Sequence, residues 1–153
     1  MQFPRPVRTL VVPERVRATL ERHVADRHPE EAGGYLRCER RGDALVATEV
    51  VPVENDADDP ERRFETTVDE RAPGLPRVFY HSHTLPSAPA SLTETDRKRI
   101  PEQYALVLFA PDGEVFTFRA FKRGLVRWHA IAVTDRSETN VETPIPHPRT
   151  DPH

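Results

Sequence analysis

The chain has 153 residues, enough for one domain with a single core and too few for two. Its net charge of −3 leaves no excess of cations to displace the counterions of a nucleic acid, which argues against such a partner. One cysteine, Cys38, excludes an intrachain disulfide, and no apolar run approaches the roughly 20 residues of a membrane helix.

The start, Met1-Gln2-Phe3-Pro4-Arg5-Pro6, lacks the apolar stretch of a secretory signal, so the expected compartment is the cytoplasm. Thr9 to Val12 reads as a short strand closed by Pro13. Pro13-Glu14 opens a helix to about His28, because proline suits the first helical turn and glutamate its positive end. Val16, Leu20 and Val24 recur every four residues and give it one apolar stripe. His23 and His28, on its charged flanks, are expected to be solvated.

Pro29 ends the helix, and Glu30-Glu31-Ala32-Gly33-Gly34-Tyr35-Leu36 leads into a strand containing Cys38, expected as a small filler. Arg41-Gly42-Asp43 reads as a hairpin turn into a second strand, Ala44 to Val53. Asn55 to Arg62 is an acidic, proline-bearing loop, and Phe64 to Val68 a candidate short strand. Arg77 to His81 is a partly apolar strand, followed by a Pro-, Ser- and Ala-rich loop over Thr84 to Ala90 and a short helix ended by Pro101. Tyr104 to Ala110 and Val115 to Phe121 flank a turn at Pro111-Asp112-Gly113 as a β-hairpin, and Leu125 to Val133 adds a strand around Trp128. His129 is expected to pack or lie on the surface. The domain is therefore predicted over 1–134, with a polar, proline-rich tail over 135–153 that holds His147 and His153. The fold class is mixed α/β (α+β), with a mainly antiparallel sheet.

The chemistry gathers at His81-Ser82-His83. Residues two apart on a strand share a face, so both imidazoles reach one point while Ser82 faces away. Such a pair suits zinc, although a bare His-x-His is a weak signal. Ser91-Leu92-Thr93-Glu94-Thr95-Asp96 strengthens it with two overlapping helix starts, Ser91 with Glu94 and Thr93 with Asp96. Either acid, kept ionised by the helix's positive end, can be the third ligand, leaving a fourth position open for water. By composition alone Glu30 and Glu31 are solvated acids on a loop, and the two glycines after them let the backbone pass close to its neighbours.

These motifs resemble those of the JAMM (MPN-plus) metalloproteases, in which a glutamate in a Pro-x-Glu-x-Cys-Gly-x-Leu-like segment precedes His-Ser/Thr-His, seven residues, Ser, two residues and Asp. Pro29 to Leu36 places Glu31 on the glutamate, and Tyr80-His81-Ser82-His83 matches the metal motif. The resemblance spans about Val7 to Lys122. Gly33 stands where the family often has a non-ligand cysteine, and Glu65 to Val78 is too short for a second long helix. Strict spacing after His83 reaches Ser91 and Glu94; a loop two residues longer reaches Thr93 and Asp96, which keeps the aspartate and lets Ile100 face the core.

The resemblance implies a single MPN/JAMM domain with a long N-terminal helix and a short helix after the metal motif. It implies one Zn²⁺ on His81, His83 and Asp96 (alternatively Glu94), with Glu31 as proton shuttle. Thr93 (alternatively Ser91) becomes the hydroxyl donating to the oxyanion, and Ser82 a brace. The implied reaction is hydrolysis after the C-terminal glycine of a ubiquitin-like or sulfur-carrier protein, whose tail binds by adding as a strand. A metal-free MPN scaffold that binds protein partners is the alternative.

Overall fold

The computed structural model describes residues 6–66, 72–85, 92–93, 96–97, 100–115 and 117–135. The tail over 136–153 and, within the candidate motifs, Ser91 and Glu94 lie outside these residues. The elements are β1 (Thr9–Val11), α1 (Glu14–Arg27), β2 (Gly33–Arg41), β3 (Ala44–Val53), β4 (Arg77–His83), β5 (Tyr104–Phe109), β6 (Thr117–Arg123) and β7 (Trp128–Thr134).

Pro13, with φ −60° and ψ 157°, occupies the N-cap of α1 without a side-chain cap, so Glu14 in the first turn and Arg27 in the last supply the favourable end charges. At 14 residues α1 is of ordinary length rather than the long helix expected. Val16, Leu20 and Val24 are all buried, as the four-residue spacing requires.

The sheet is mixed and mainly antiparallel, with parallel pairs at β1–β3, β1–β7 and β4–β5, but closure into a barrel was not expected. The strands close in the order β1-β3-β2-β4-β5-β6-β7. Closure is the work of three-residue β1, which runs parallel to β3 on one side and to β7 on the other. Every strand has a neighbour on each side, although β1 reaches only Ala44–Val46 of β3, so the remainder of β3 is paired with β2 alone. Gly42-Asp43 makes the two-residue β2–β3 turn, and the positive φ of Gly42 (60°) suits the tight hairpin connection. Of the candidate strand Phe64 to Val68, residues 64–66 lie in irregular structure and the last two lie outside the described residues.

The barrel closes around the stripe of α1. Leu10, Leu20, Leu36, Leu45, Val78, Tyr80, Leu106 and Leu108 belong to this inner core. A second cluster covers the opposite face of the central strands, with Tyr35, Phe79, Leu92, Ile100, Val107 and Phe121. On β4 the alternation is strict: Val78 and Tyr80 enter the inner core, and Phe79 joins the outer cluster. The period of two therefore carries His81 and His83 to the outer face and turns Ser82 inward. His23 departs from the expected solvated state, because its Nδ1 lies 2.7 Å from the hydroxyl of Tyr80, which is fully buried. Burial, then the nearby Arg27, lowers the His23 pKa, with Asp26 opposing. Cys38 is a buried filler, as expected, and burial pushes its thiol up to about 12.

Candidate metal centre

β4 delivers two imidazoles to one point. His81 and His83 are 2% and 3% exposed, and their Nε2 atoms lie 3.1 Å apart. Asp96 Oδ2 is 3.2 Å from each of them. Donors sharing a tetrahedral cation at about 2.0–2.1 Å stand roughly 3.3 Å apart, close to all three separations. His81, His83 and Asp96 thus form a group that can hold one metal ion. The donor set fits a cation on chemical grounds too. Two imidazole nitrogens and a carboxylate oxygen bring lone pairs to one point, where a cation satisfies all three together. Nδ1 of His81 is buried without a hydrogen-bond partner among the described residues, and its ring stacks on Phe79 at 5.7 Å, interplanar angle 28°.

Asp96 reaches this point from a helical start. Its N–H donates to Thr93 Oγ1 (3.0 Å), and Thr93 N–H donates back to Asp96 Oδ2 (2.9 Å). This reciprocal cap orients the carboxylate. Capping is thereby compatible with ligation, since one oxygen takes the amide and still faces the histidines. Helical hydrogen bonds from Arg97 N to Thr93 O and from Ile100 N to Asp96 O, each 3.0 Å, continue the turn, and Ile100 is buried. Burial tends to raise the Asp96 pKa, but hydrogen bonds to His81 and His83, and from Thr93 N–H, outweigh it and hold the carboxyl below its usual range.

Glu30 is exposed, whereas Glu31 is 5% exposed. Burial raises the Glu31 carboxyl to about 8, with His83 pulling it down and Asp96 pushing it up. Its charge is thus felt at the ligand cluster, although Glu31 is outside the group of ligand atoms. A divalent cation at the cluster would favour the ionised carboxylate.

Ser82 supplies the tether between the two halves of the site. Its Oγ accepts the Ala32 N–H at 2.8 Å and its N–H donates to Ala32 O at 2.8 Å, directly beyond the Gly33–His81 pair of the β2–β4 ladder. The two glycines give the close approach expected of them. A Cβ at Gly34 would stand 2.3 Å from Val51 O, and one at Gly33 2.5 Å from the Phe64 ring. Phe64 packs in turn on Phe79, at 5.8 Å between centroids.

Sequence reasoning missed the role of the acidic loop over residues 54–65. Its Asn55 donates from Nδ2 to Glu31 O (2.9 Å), Arg63 O (2.9 Å) and Pro60 O (3.1 Å). Thr84, next to His83, donates to Pro29 O (2.8 Å) and Glu61 O (3.2 Å). Only the isolated asparagine among acids and proline could have signalled this. Beside Leu92 and Arg97, a groove of about 480 Å³ is lined by Phe121, Arg123 and Trp128. No helix among the described residues is long and apolar enough to cross a membrane.

Comparison with solved structures places this architecture among known ones. The solution structure of protein DSY2949 from Desulfitobacterium hafniense matches with a TM-score of 0.59 at 20% identity, over 86% of this chain and 96% of that one. The solution structure of a protein from Salinibacter ruber (strain DSM 13855) matches with a TM-score of 0.56, also at 20% identity, over 92% of this chain and 97% of that one. At such identity the likeness concerns the fold. Comparison with curated proteins gives no match. Residues 13–138 match the model of the prokaryotic homologs of the JAB domain, an interval that takes in Glu31, both histidines and Asp96, and the chain belongs to that family.

Proposed function

We propose that this protein is a zinc-dependent peptidase or isopeptidase that hydrolyses the bond after the C-terminal glycine of a ubiquitin-like or sulfur-carrier protein. The observation that carries the reading is the convergence of His81, His83 and Asp96 on one point, in a chain whose family match also takes in the buried Glu31. When bound, zinc supplies Lewis acidity and a water acidified towards a pKa of about 7. Glu31, as carboxylate, takes the proton of the attacking water and returns it to the leaving amine. Thr93 Oγ1 spends a lone pair on the Asp96 amide, which leaves its hydroxyl hydrogen to donate to the oxyanion. The substrate is proposed from the family resemblance. The groove beginning at Leu92 and Arg97, which also carries Arg123 and Arg127, is the proposed contact for a side chain or short segment of that substrate.

The test is incubation of the zinc-loaded protein with a Gly-Gly-ended ubiquitin-like protein carrying a C-terminal extension, followed by mass spectrometry. Release of the extension is expected. Glu31→Gln should keep zinc and lose turnover, and His81→Ala should lose both. Zinc-free purified protein that takes up no added zinc would instead favour the metal-free scaffold.

A further inference from the structure

The sequence assigns no role to Asn55, yet its side chain has a dense set of contacts. Five backbone groups converge on it. Nδ2 faces the carbonyls of Glu31, Pro60 and Arg63, while Oδ1 accepts Ala57 N–H at 3.0 Å and Glu65 N–H at 3.3 Å. One of these contacts, from Ala57 N–H, is that of an ordinary Asx turn. The contact with Glu31 is not, because it crosses 24 positions in sequence.

The Glu31 backbone is held on its other side by the same loop, with its N–H donating to Pro60 O at 2.7 Å. Pro60 O thus meets both Asn55 and Glu31. One residue on, Ser82 ties Ala32 to the histidine strand. The segment bearing Glu31 is therefore suspended between two anchors, Ser82 on β4 and Asn55 in the loop. Only the first is part of the metal motif. Without the second, the peptide of Glu31 keeps its strand-side tether but loses the contact that fixes its carbonyl, and the carboxyl is free to turn from the cluster.

We infer that Asn55 is a positioning residue for Glu31, clamping the 54–65 loop and the glutamate-bearing segment into one unit through its amide donors. The inference rests on the proposed role of Glu31 as proton shuttle. It assigns Asn55 no contact with substrate or metal.

Asn55→Asp and Asn55→Ala separate the clamp from an ordinary turn. Aspartate retains the acceptor towards Ala57 and Glu65 and removes both donor hydrogens, setting a carboxylate against three carbonyl oxygens. If Asn55 only shapes its own loop, both variants open the loop amides while exchange at Glu31 stays as in the parent. If it clamps Glu31, both variants lose protection of the Glu31 amide from hydrogen exchange, by roughly tenfold to a hundredfold for one or two lost hydrogen bonds. Both should still bind one zinc per chain and should lower kcat with KM unchanged. Parent-like exchange at Glu31 in Asn55→Asp would overturn the inference. A measurement without substitution guards against misfolding: in the parent, the amides of Glu31, Ala57 and Glu65 should share one opening free energy and one denaturant dependence. Independent opening would equally overturn the clamp. Should the parent cleave no substrate, the exchange data still decide the clamp, and it is the catalytic reading that has failed.

Discussion

Replacing Ser82 with alanine removes one hydroxyl and isolates one amide. The Ala32 N–H donates to Ser82 Oγ at 2.8 Å, and the two residues are 2% and 0% exposed, so water cannot readily take the place of the lost oxygen. Leaving such a buried donor unsatisfied costs about 1–3 kcal/mol. The central value of about 2 kcal/mol corresponds to a fall in Tm of roughly 6–8 °C for a domain of this size. The measurement belongs in chelator-treated protein, because bound metal stabilises the native state by mass action and would mask the loss. Urea melts should show a lower midpoint with an unchanged m value, since the native surface stays the same. Amide exchange should rise at Ala32 and stay slow in the rest of the β2–β4 ladder. Ser82→Ala within about 0.3 kcal/mol of the parent would refute the reasoning and reduce Ser82 to a spacer between two histidines.

Asp96→Asn should weaken zinc binding more than about a hundredfold, because even groups one step removed from a metal are worth about 10–100-fold. Glu94→Gln should leave metal content unchanged, and equilibrium dialysis reads both. Glu31 gives a pH prediction for the metal-free protein. Its folded pKa, about 8, lies above the unfolded value near 4.5, so the native state holds the extra proton in that window and stability falls as pH rises through it. Glu31→Gln should remove that fall, so its stability gain over the parent grows from about pH 5 to pH 8; a constant difference in urea melts would contradict this. Cys38, buried with its thiol raised to about 12, should react with a thiol reagent only as fast as the domain opens, and rapid modification at pH 8 would contradict that placement.

The parts of the fold legible in the sequence are those fixed by local rules. Pro13 and Pro29 bracket α1, observed as Glu14–Arg27, and the turn at Gly42-Asp43 sets β3 at the predicted Ala44–Val53. The alternation of β4 placed the histidines on one face, because a strand's period leaves no other choice. Barrel closure was not legible, because it depends on β1 pairing across more than a hundred residues with β7, and nothing in Thr9-Leu10-Val11 encodes a second partner. The same holds for His23. Its helix position reads as a charged flank, and only the arrival of Tyr80 from β4 gives its ring a partner.

The candidate third ligand, Asp96, shows where local and non-local rules meet. Sequence spacing left two overlapping helix starts, and spacing alone cannot separate them, since both offer a hydroxyl followed by an acid. What distinguishes the Thr93–Asp96 pair is hydrophobic. The turn that places Asp96 beside the histidines also sends Leu92 and Ile100 into the outer cluster with Phe79 and Val107. Burying two such side chains contributes about 1.5–3 kcal/mol each, more than a helix cap typically does. The position of the carboxylate therefore follows from apolar contacts on either side of it. The contact of the Asp96 carboxylate with His81 and His83 is made possible by that packing, which does not depend on a bound cation.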